Sequence, residues 1–394
     1  MTVRISKPEF NLREKLSELD KPTGLKGNEL MRSDTSQDAR DLISAGRKNL
    51  IINGSMAVAQ RATSVSNQSM TTQASPVCDR WRLRAINTDQ ATFDISQVTD
   101  APKGVCTKSI KIDVNTAETA LAADEIFWIA QSIEAQNCSD LGFGDSGASD
   151  LTISFYVKSN VVGKYAMYLY TQDPNRYISR TYTIDTSGQW ERKVIHIPGD
   201  TDGNAINHDN GIGIKIYWWQ IAGSDYTSYD STKWSAYGNS GIAYGHEVNM
   251  GSSTSNYWQL TGVQVERGSN ATEFENRSFG EELALCQRYF FRAKAGTSYG
   301  AYGMGGAYSS TQAVTLIYFP VPMRISPSFT YNGALNTFYD KVGGFSNFTS
   351  ITKTQSVGTT HLELLTVGSG TAGNPFVLSS LNNTNTYLDF DADL

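Results

Sequence analysis

The residue types that could do chemistry are few in this chain. There are four histidines, His196, His208, His246 and His361. His196 lies mid-strand in Val194-Ile195-His196-Ile197, where a satisfied strand residue is the simpler reading than a general base. No GxSxG, HExxH or phosphate-loop pattern occurs, and the acids form no cluster suited to glycoside cleavage. Asp200-Thr201-Asp202-Gly203-Asn204 resembles a fragment of a calcium loop, with alternating oxygen ligands around a Gly turn. The distal Glu and the full spacing are missing. A turn held by Asx hydrogen bonds is therefore the expectation, and Ca²⁺ on Asp200 and Asp202 the alternative. The four cysteines, Cys78, Cys106, Cys138 and Cys286, are widely spaced without any CxxC. Reduced thiols are the simpler reading, with a Cys78–Cys106 bridge as the alternative.

Aromatic recognition is the better-supported chemistry. The stretch Gly223–Asn249 is dominated by Tyr, Ser, Gly and Asn, a mixture that joins rigid contact area to adaptable hydrogen bonding. Tyr226, Tyr229, Trp234, Tyr237 and Tyr244 could stack on sugar rings, with Asp225 and Asp230 accepting from hydroxyls. The competing reading folds Trp234 back as an anchor for a long loop. A second set lies further on: Tyr299, Tyr302 and Tyr308 in the Gly-rich Thr297–Ser310, and Phe345 and Phe348 in residues 343–348. These aromatics either meet a ligand or pack a subunit interface.

The elements that must position these residues are mainly strands. Across 394 residues only 18% are charged, while Gly (34) and Tyr (20) are plentiful. Such a composition favours strands and turns and excludes a disordered or collagen-like chain. The net charge of −6 argues against a nucleic-acid binder. No apolar run is long enough for a membrane helix, so no membrane insertion is expected. Met1–Glu9 has no apolar stretch of the kind a Sec signal needs.

Charge divides the chain. Residues 1–50 hold 10 Lys/Arg and 8 Asp/Glu, whereas residues 289–394 hold 5 and 5. Residues 1–48 show two short helical patterns, one carrying Leu12, Leu16 and Leu19 and one, from about Ser36 to Ala45, carrying Leu42 and Ile43. Two such pieces cannot bury a core alone, so they must dock on a partner, on symmetry mates or on the following domain. Residues 49–279 read as short strands of a β-sandwich, beginning with Leu50-Ile51-Ile52 and the Asn53-Gly54 turn signal. Further strands are expected at Leu151–Val157, Lys164–Tyr170, Tyr177–Ile184, Glu191–Ile197, Ile212–Ile221 and Trp258–Glu266, with a helical turn near Asp124–Ile133. Residues 280–289 read as a short helical connector. Residues 290–394 read as a second β domain, with so few charges that a symmetric oligomer covering its surface is expected.

The order of several motifs carries a resemblance. Asn49–Met56 with Ala59-Gln60-Arg61, then Asp79-Arg80-Trp81, Leu151–Ser159, Trp190-Glu191, Ile197–Asp200, Trp258–Gly268 and Ala271–Glu275 resemble a jelly-roll module common in bacteriophage tail fibres and related virion proteins. Glu282–Tyr289 is similar to the connector joining that module to a small trimeric C-terminal domain, whose pattern Phe319–Arg324 and Asp389–Leu394 also match. Residues 11–48 resemble the arms of fibre-like proteins in marine phages of cyanobacteria and their relatives.

The resemblance implies a fold also used by carbohydrate-binding modules. It implies a homotrimeric virion fibre made in the host cytoplasm. In that reading the N-terminal arm, with Leu12, Leu16, Leu19, Leu42 and Ile43, docks on a tail adaptor, nozzle or baseplate, and the C-terminal domain faces the host surface polysaccharide or protein. No binding residues carry over. The function expected is receptor attachment without catalysis. The alternatives are a structural virion protein such as a head fibre or decoration protein, and a polysaccharide-degrading tailspike.

Overall fold

A computed structural model describes Arg32 and residues 48–86, 91–294, 296–298, 300–332, 337–340, 344–346, 348–368, 371–380 and 384–394. Residues 1–48 and 49–394 are separate compact units. Leu12, Leu16, Leu19, Leu42, Ile43 and the two expected N-terminal helices lie outside the described residues.

From Asn49 the chain is built on β-strands. The first twelve are β1 Ser64–Gln68, β2 Arg82–Ile86, β3 Thr92–Val98, β4 Ser109–Thr116, β5 Ile126–Glu134, β6 Leu151–Ser159, β7 Gly163–Thr171, β8 Arg176–Ile184, β9 Glu191–Ile197, β10 Ile212–Ala222, β11 Ser235–Ala236 and β12 Tyr257–Arg267. They form two six-stranded sheets of order β1-β3-β4-β12-β6-β9 and β11-β8-β7-β10-β5-β2. Every pairing within these sheets is antiparallel. The order is crossed over, as in a jelly roll, because chain neighbours keep switching sheets. The six expected strands from Leu151 onward all form. Asp124–Ile133 does not form a helical turn: it enters β5, where all nine residues are buried. Its run of Ile, Phe, Trp and Ile is apolar on both faces, which suits a central strand covered on both sides.

Alternation fills the sandwich. Leu151, Ile153, Phe155 and Val157 of β6 meet Ile214, Ile216 and Trp218 of β10 in one core. Across it Phe93 stacks on Phe127 at 4.0 Å, and Phe155 stands edge-on to Trp218 at 5.8 Å. Burying an aromatic or large aliphatic side chain of this kind is worth about 2–3 kcal/mol.

Leu50-Ile51-Ile52 forms no strand, and Asn53-Gly54 joins no hairpin. The segment instead runs buried between the β12 bulge and β5, and side chains satisfy its backbone. Asn49 Oδ1 accepts from Ile51 N and Val265 N, and its Nδ2 donates to Val263 O. Gln131 exchanges two hydrogen bonds with Ile52, both at 2.8 Å. Asn53 Nδ2 donates to Val58 O and Asp79 O, and its Oδ1 accepts from Val58 N. Glu282 accepts from Asn53 N, and Arg277 donates to Ile51 O and Asn49 O. Gly54 sits so close that a Cβ would stand 2.2 Å from Val263 O.

The helix α1, Phe279–Gln287, follows, with a capping box between Ser278 and Glu281. Then come β13 Phe290–Lys294, β14 Ala301–Ala307, β15 Gln312–Tyr318, β16 Ser328–Tyr331, β17 Thr337–Asp340, β18 Gly344–Ser346, β19 Phe348–Val357, β20 His361–Gly368, β21 Pro375–Ser379 and β22 Tyr387–Asp391. They make a three-stranded sheet, β13-β22-β16, and a seven-stranded one, β18-β17-β21-β14-β15-β20-β19. Phe319, Met323, Phe376, Leu378, Leu388 and Phe390 share their core. Charged pairs tie this region to the sandwich. Glu134 is gripped by Arg288 at 2.8 and 2.9 Å, Arg61 meets Asp391 at 2.8 Å, and Arg80 meets Asp393. The Arg80 guanidinium also lies 3.5 Å over the Tyr289 ring.

Replacing Asn53 with Ala removes three buried hydrogen bonds and strands Val58 N–H and Asp79 O, while Val58 O keeps its bond from Asp79 N. The expected loss is about 3 kcal/mol of unfolding free energy, read by denaturant titration. A loss below about 0.5 kcal/mol would show that water replaces the amide.

Candidate glycan-binding face

The outer face of a sandwich sheet is ordinarily polar. That of the second sheet is not. On β10, Ile214, Ile216 and Trp218 point into the core, while Lys215, Tyr217 and Trp219 take the opposite face. Tyr217 lies opposite Tyr168 on β7 and Ala130 on β5, and Trp219 lies opposite Trp128. Tyr168 stacks on Tyr217 with centroids 4.2 Å apart and planes 9° apart. Trp128 meets Tyr217 edge-on at 4.9 Å, and Tyr168 reaches Trp219 at 5.9 Å. The result is a plate of Trp128, Tyr168, Tyr217 and Trp219, extended by Tyr170 and Tyr177. Tyr217 and Tyr170 are half-buried and form its open side. Burial pushes the Tyr217 phenol up to about 12, so it stays neutral at physiological pH and offers a hydroxyl rather than a charge.

The loop 223–249 lies against this plate. Tyr226 stacks on Trp219 at 6.2 Å. Tyr237 stands edge-on to Tyr170 at 5.1 Å and Tyr177 at 5.9 Å, and is 41% exposed. Tyr229 is 51% exposed at the loop's tip. Tyr244 is half-buried in a turn closed by its own N–H on Gly241 O. Trp234 takes the anchoring role: its Nε1 donates to Pro198 O at 2.7 Å and its ring meets Phe143 edge-on at 5.6 Å. Asp230 and Asp225 are both exposed, and Asp230 accepts from Thr232 N and Oγ1.

Other sequence candidates lie elsewhere. Tyr302 packs on the C-terminal core and bonds Thr386 Oγ1 at 2.6 Å. Tyr308 is exposed at the turn after β14 and donates to Gln312. Phe345 falls in β18 and Phe348 opens β19. Tyr299 lies outside the described residues. Asp200 and Asp202 do not frame a vacant cation site. Arg176 Nε donates to Asp200 Oδ2 at 2.7 Å, Asp202 N donates to Asp200 Oδ1, and the Asp202 carboxylate is 3.7 Å from Arg176. A guanidinium therefore fills the place a calcium ion would take, which removes Ca²⁺ as the reading of this turn. All four cysteines are free thiols, so the Cys78–Cys106 bridge does not form. His196 pairs with Asp150 at 3.0 Å on an exposed strand.

Trp128, Tyr168, Tyr170, Tyr177 and Tyr217 were not marked by the loop-centred reading. Their signal is an alternation with aromatics on both phases, as in Tyr217-Trp218-Trp219.

His246 fastens the loop to the sheet. Its Nδ1 accepts from Ala166 N on β7 at 3.1 Å, and its ring stands edge-on to Tyr165 at 5.8 Å. Burial pushes its pKa down from 6.5 to about 4. The folded state thus holds the neutral ring. This stability is complete above about pH 6.5 and is lost as pH falls toward 4, to a limit of about 3 kcal/mol. His246→Asn keeps an acceptor and removes the titration. Its Tm is expected to fall less than that of the unaltered protein between pH 7 and pH 4. Parallel Tm profiles for the two proteins would refute the assignment.

No protein-family model and no curated protein match the chain. Solved structures similar to part of it include the following three. A putative sugar-binding protein from Bacteroides thetaiotaomicron shares 12% identity over 56% of this chain and 100% of that one, with a TM-score of 0.32. The TmCBM61 module, in complex with β-1,4-galactotriose, shares 12% over 56% of this chain and 99% of that one, at 0.27. The enzymatically active domain of tailspike protein 4 from bacteriophage CBA120 shares 12% over 56% of this chain, at 0.30. This chain spans about a fifth of that tailspike's length, 21%. At such TM-scores these likenesses carry no argument, and the β-sandwich stands on its own sheet order and core.

Proposed function

We propose that this protein is a fibre-type virion protein that attaches to host-surface glycan through the aromatic face of its second sheet, without catalysis. The observation that carries the reading is an aromatic plate on a face that a sandwich normally leaves polar: Trp128, Tyr168 and Trp219 are buried as its floor, and Tyr217, Tyr170 and Tyr237 form its open part. Sugar rings present apolar C–H faces edged by hydroxyls. Flat rings cover the first, and the neutral phenols of Tyr217, Tyr170 and Tyr237 exchange hydrogen bonds with the second. No proton transfer is asked of the site.

Weak single contacts become useful in several copies. A homotrimer supplies them, and the fourth sheet offers a surface for assembly. Met304 on β14 lies opposite Leu316 on β15, and with Tyr318 they are 75%, 40% and 70% exposed. Such an apolar strip, in a region with 5 basic and 5 acidic residues over 289–394, suits burial against a second copy. Residues 1–48 are the proposed virion anchor.

Binding is tested on an array of bacterial capsular and envelope polysaccharides. The full chain is expected to bind a subset, and Tyr217→Ala to weaken that binding about 10-fold, the size of one lost stacking contact. An array without a hit overturns the attachment reading and favours a structural virion role. Sedimentation tests assembly separately: a trimer is expected, with Met304→Lys/Tyr318→Lys sedimenting as a monomer. A monomeric unaltered chain would dismiss the trimer.

A further inference from the structure

Twelve arginines lie between Arg61 and Arg324. Ten of them donate at least one side-chain hydrogen bond. The remaining two, Arg82 and Arg84, donate none among the described residues, and the Nε of each is buried without an acceptor. Both belong to β2 and both point outward, because Leu83 and Ala85 on the same strand enter the sandwich core. Register then places them beside the aromatic plate. Arg84 lies opposite Trp128 on β5, and Arg82 opposite Ala130. One strand further, Trp128 faces Trp219, and Ala130 faces Tyr217.

A third cation joins them. Lys215 precedes Tyr217 on the same face of β10 and lies opposite Ser132. It forms no hydrogen bond or ion pair among the described residues. Only the small side chains of Ala130 and Ser132 stand on β5 between Arg82 and Lys215. The two outer strands are about 10 Å apart, a gap long side chains can bridge from both sides. Arg82 and burial together push the Lys215 pKa down, burial being the larger cause. Asp393, an acid that Arg82 influences, is already bonded to Arg80. Three like charges thus border one end of the plate, and none of them forms an ion pair with a carboxylate among the described residues.

Like charges held together and partly desolvated are unfavourable unless an anion joins them. Guanidinium groups match the geometry of carboxylate and sulfate oxygens, taking two at once. We propose that Arg82, Arg84 and Lys215 make this face select acidic polysaccharides, the carboxylate or sulfate of one sugar seated among the three cations while neighbouring rings lie on Tyr217 and Tyr170. The proposal rests on the glycan-binding reading of the same face.

Matched pairs of polysaccharides test it on the full chain: polygalacturonate against its methyl ester, and a sulfated galactan against the desulfated polymer. Each member is immobilised beside single-stranded poly(dT). The acidic member of at least one pair is expected to bind 10-fold or more tightly than its neutral partner, and which pair responds tells carboxylate from sulfate. Arg82→Gln/Arg84→Gln and, separately, Lys215→Gln are expected to erase that difference with Tm unchanged, since none of the three side chains holds the fold through a bond. Equal binding of acidic and neutral forms, or a preference that survives both variants, would overturn charge selection while leaving the glycan reading in place. Binding of neither form of either pair overturns this proposal, and only an array without a hit removes the glycan reading as well. Binding of poly(dT) as tight as that of the acidic polymers, lost in the same variants, would overturn it in favour of a nucleic-acid face.

Discussion

Everything from Asn49 onward depends on keeping one buried, strandless segment hydrogen-bonded. Along Asn49–Gly54 the backbone of β12 satisfies only the Leu50 N–H and the Gly54 carbonyl, through Val265 O and Val263 N, and leaves most of the rest to side chains. An unpaired buried N–H or C=O costs about as much as a whole hydrogen bond is worth. The amides of Asn49, Asn53 and Gln131, the carboxylate of Glu282 and the guanidinium of Arg277 supply the missing partners. They come from the start of the unit, from β5, from the stretch before α1 and from α1 itself. The segment therefore fastens the sandwich to the helix that leads into the C-terminal sheets. The charged pairs of Glu134, Arg80 and Arg61 continue that fastening along the same seam. Arg288 shows how closely it is made. Burial pushes the Glu134 carboxyl up, and hydrogen bonds from Arg288, Tyr289 and Gln136 together with the Arg288 charge more than reverse that, so it is held below its ordinary range.

The second constraint is apolar matter on both faces of the second sheet. A central strand such as β5 or β10 gains from covering on each side, and the loop 223–249 covers only part of the outer one. What remains open is edged by tyrosine hydroxyls and by Arg82, Arg84 and Lys215, which make no side-chain hydrogen bond among the described residues. A surface of that kind is stable in water and unsatisfied at once, which is the usual physical condition of a recognition site.

Much of this was legible in the residues. Period-two patterns at Leu151–Val157 and Ile212–Ile221 located core strands, because each puts Ile, Phe or Trp on alternate positions. The Tyr and Ser content of Gly223–Asn249 marked a loop that lies against the plate, where Tyr226 and Tyr237 pack on it and Tyr229 stays exposed. Three features misled. Leu50-Ile51-Ile52 reads as a strand and forms none, although the turn after it closes through Met56 N on Asn53 O, because the Asn49 and Asn53 amides serve backbone groups whose positions the tertiary fold defines. Asp124–Ile133 hid a fully buried strand, since an apolar run has no period to read. Asp200 and Asp202 looked like cation ligands, and nothing local reveals that Arg176 reaches them. The plate itself was missed for a related reason. Its members come from β5, β7, β8 and β10, and only pairing register places Tyr168 beside Tyr217 and Trp128 beside Trp219 in neighbouring rows.

The position of β12 has a consequence for how the chain acquires its structure. This last strand of the sandwich sits in the middle of the first sheet, between β4 and β6. Its partners were synthesised long before it: Trp258 pairs with Ile112 and also with Ser159. Until Tyr257–Arg267 leaves the ribosome, β1-β3-β4 and β6-β9 are two half-sheets with unpaired inner edges. Pairing over such sequence separations is slow, because chain entropy must be lost before contacts repay it. The nascent protein therefore spends the synthesis of about a hundred residues with open strand edges, a state that invites chaperones or wrong pairing with sister chains. Closure of the sandwich and formation of the buried Asn49 contacts to Val263 and Val265 become a single late event.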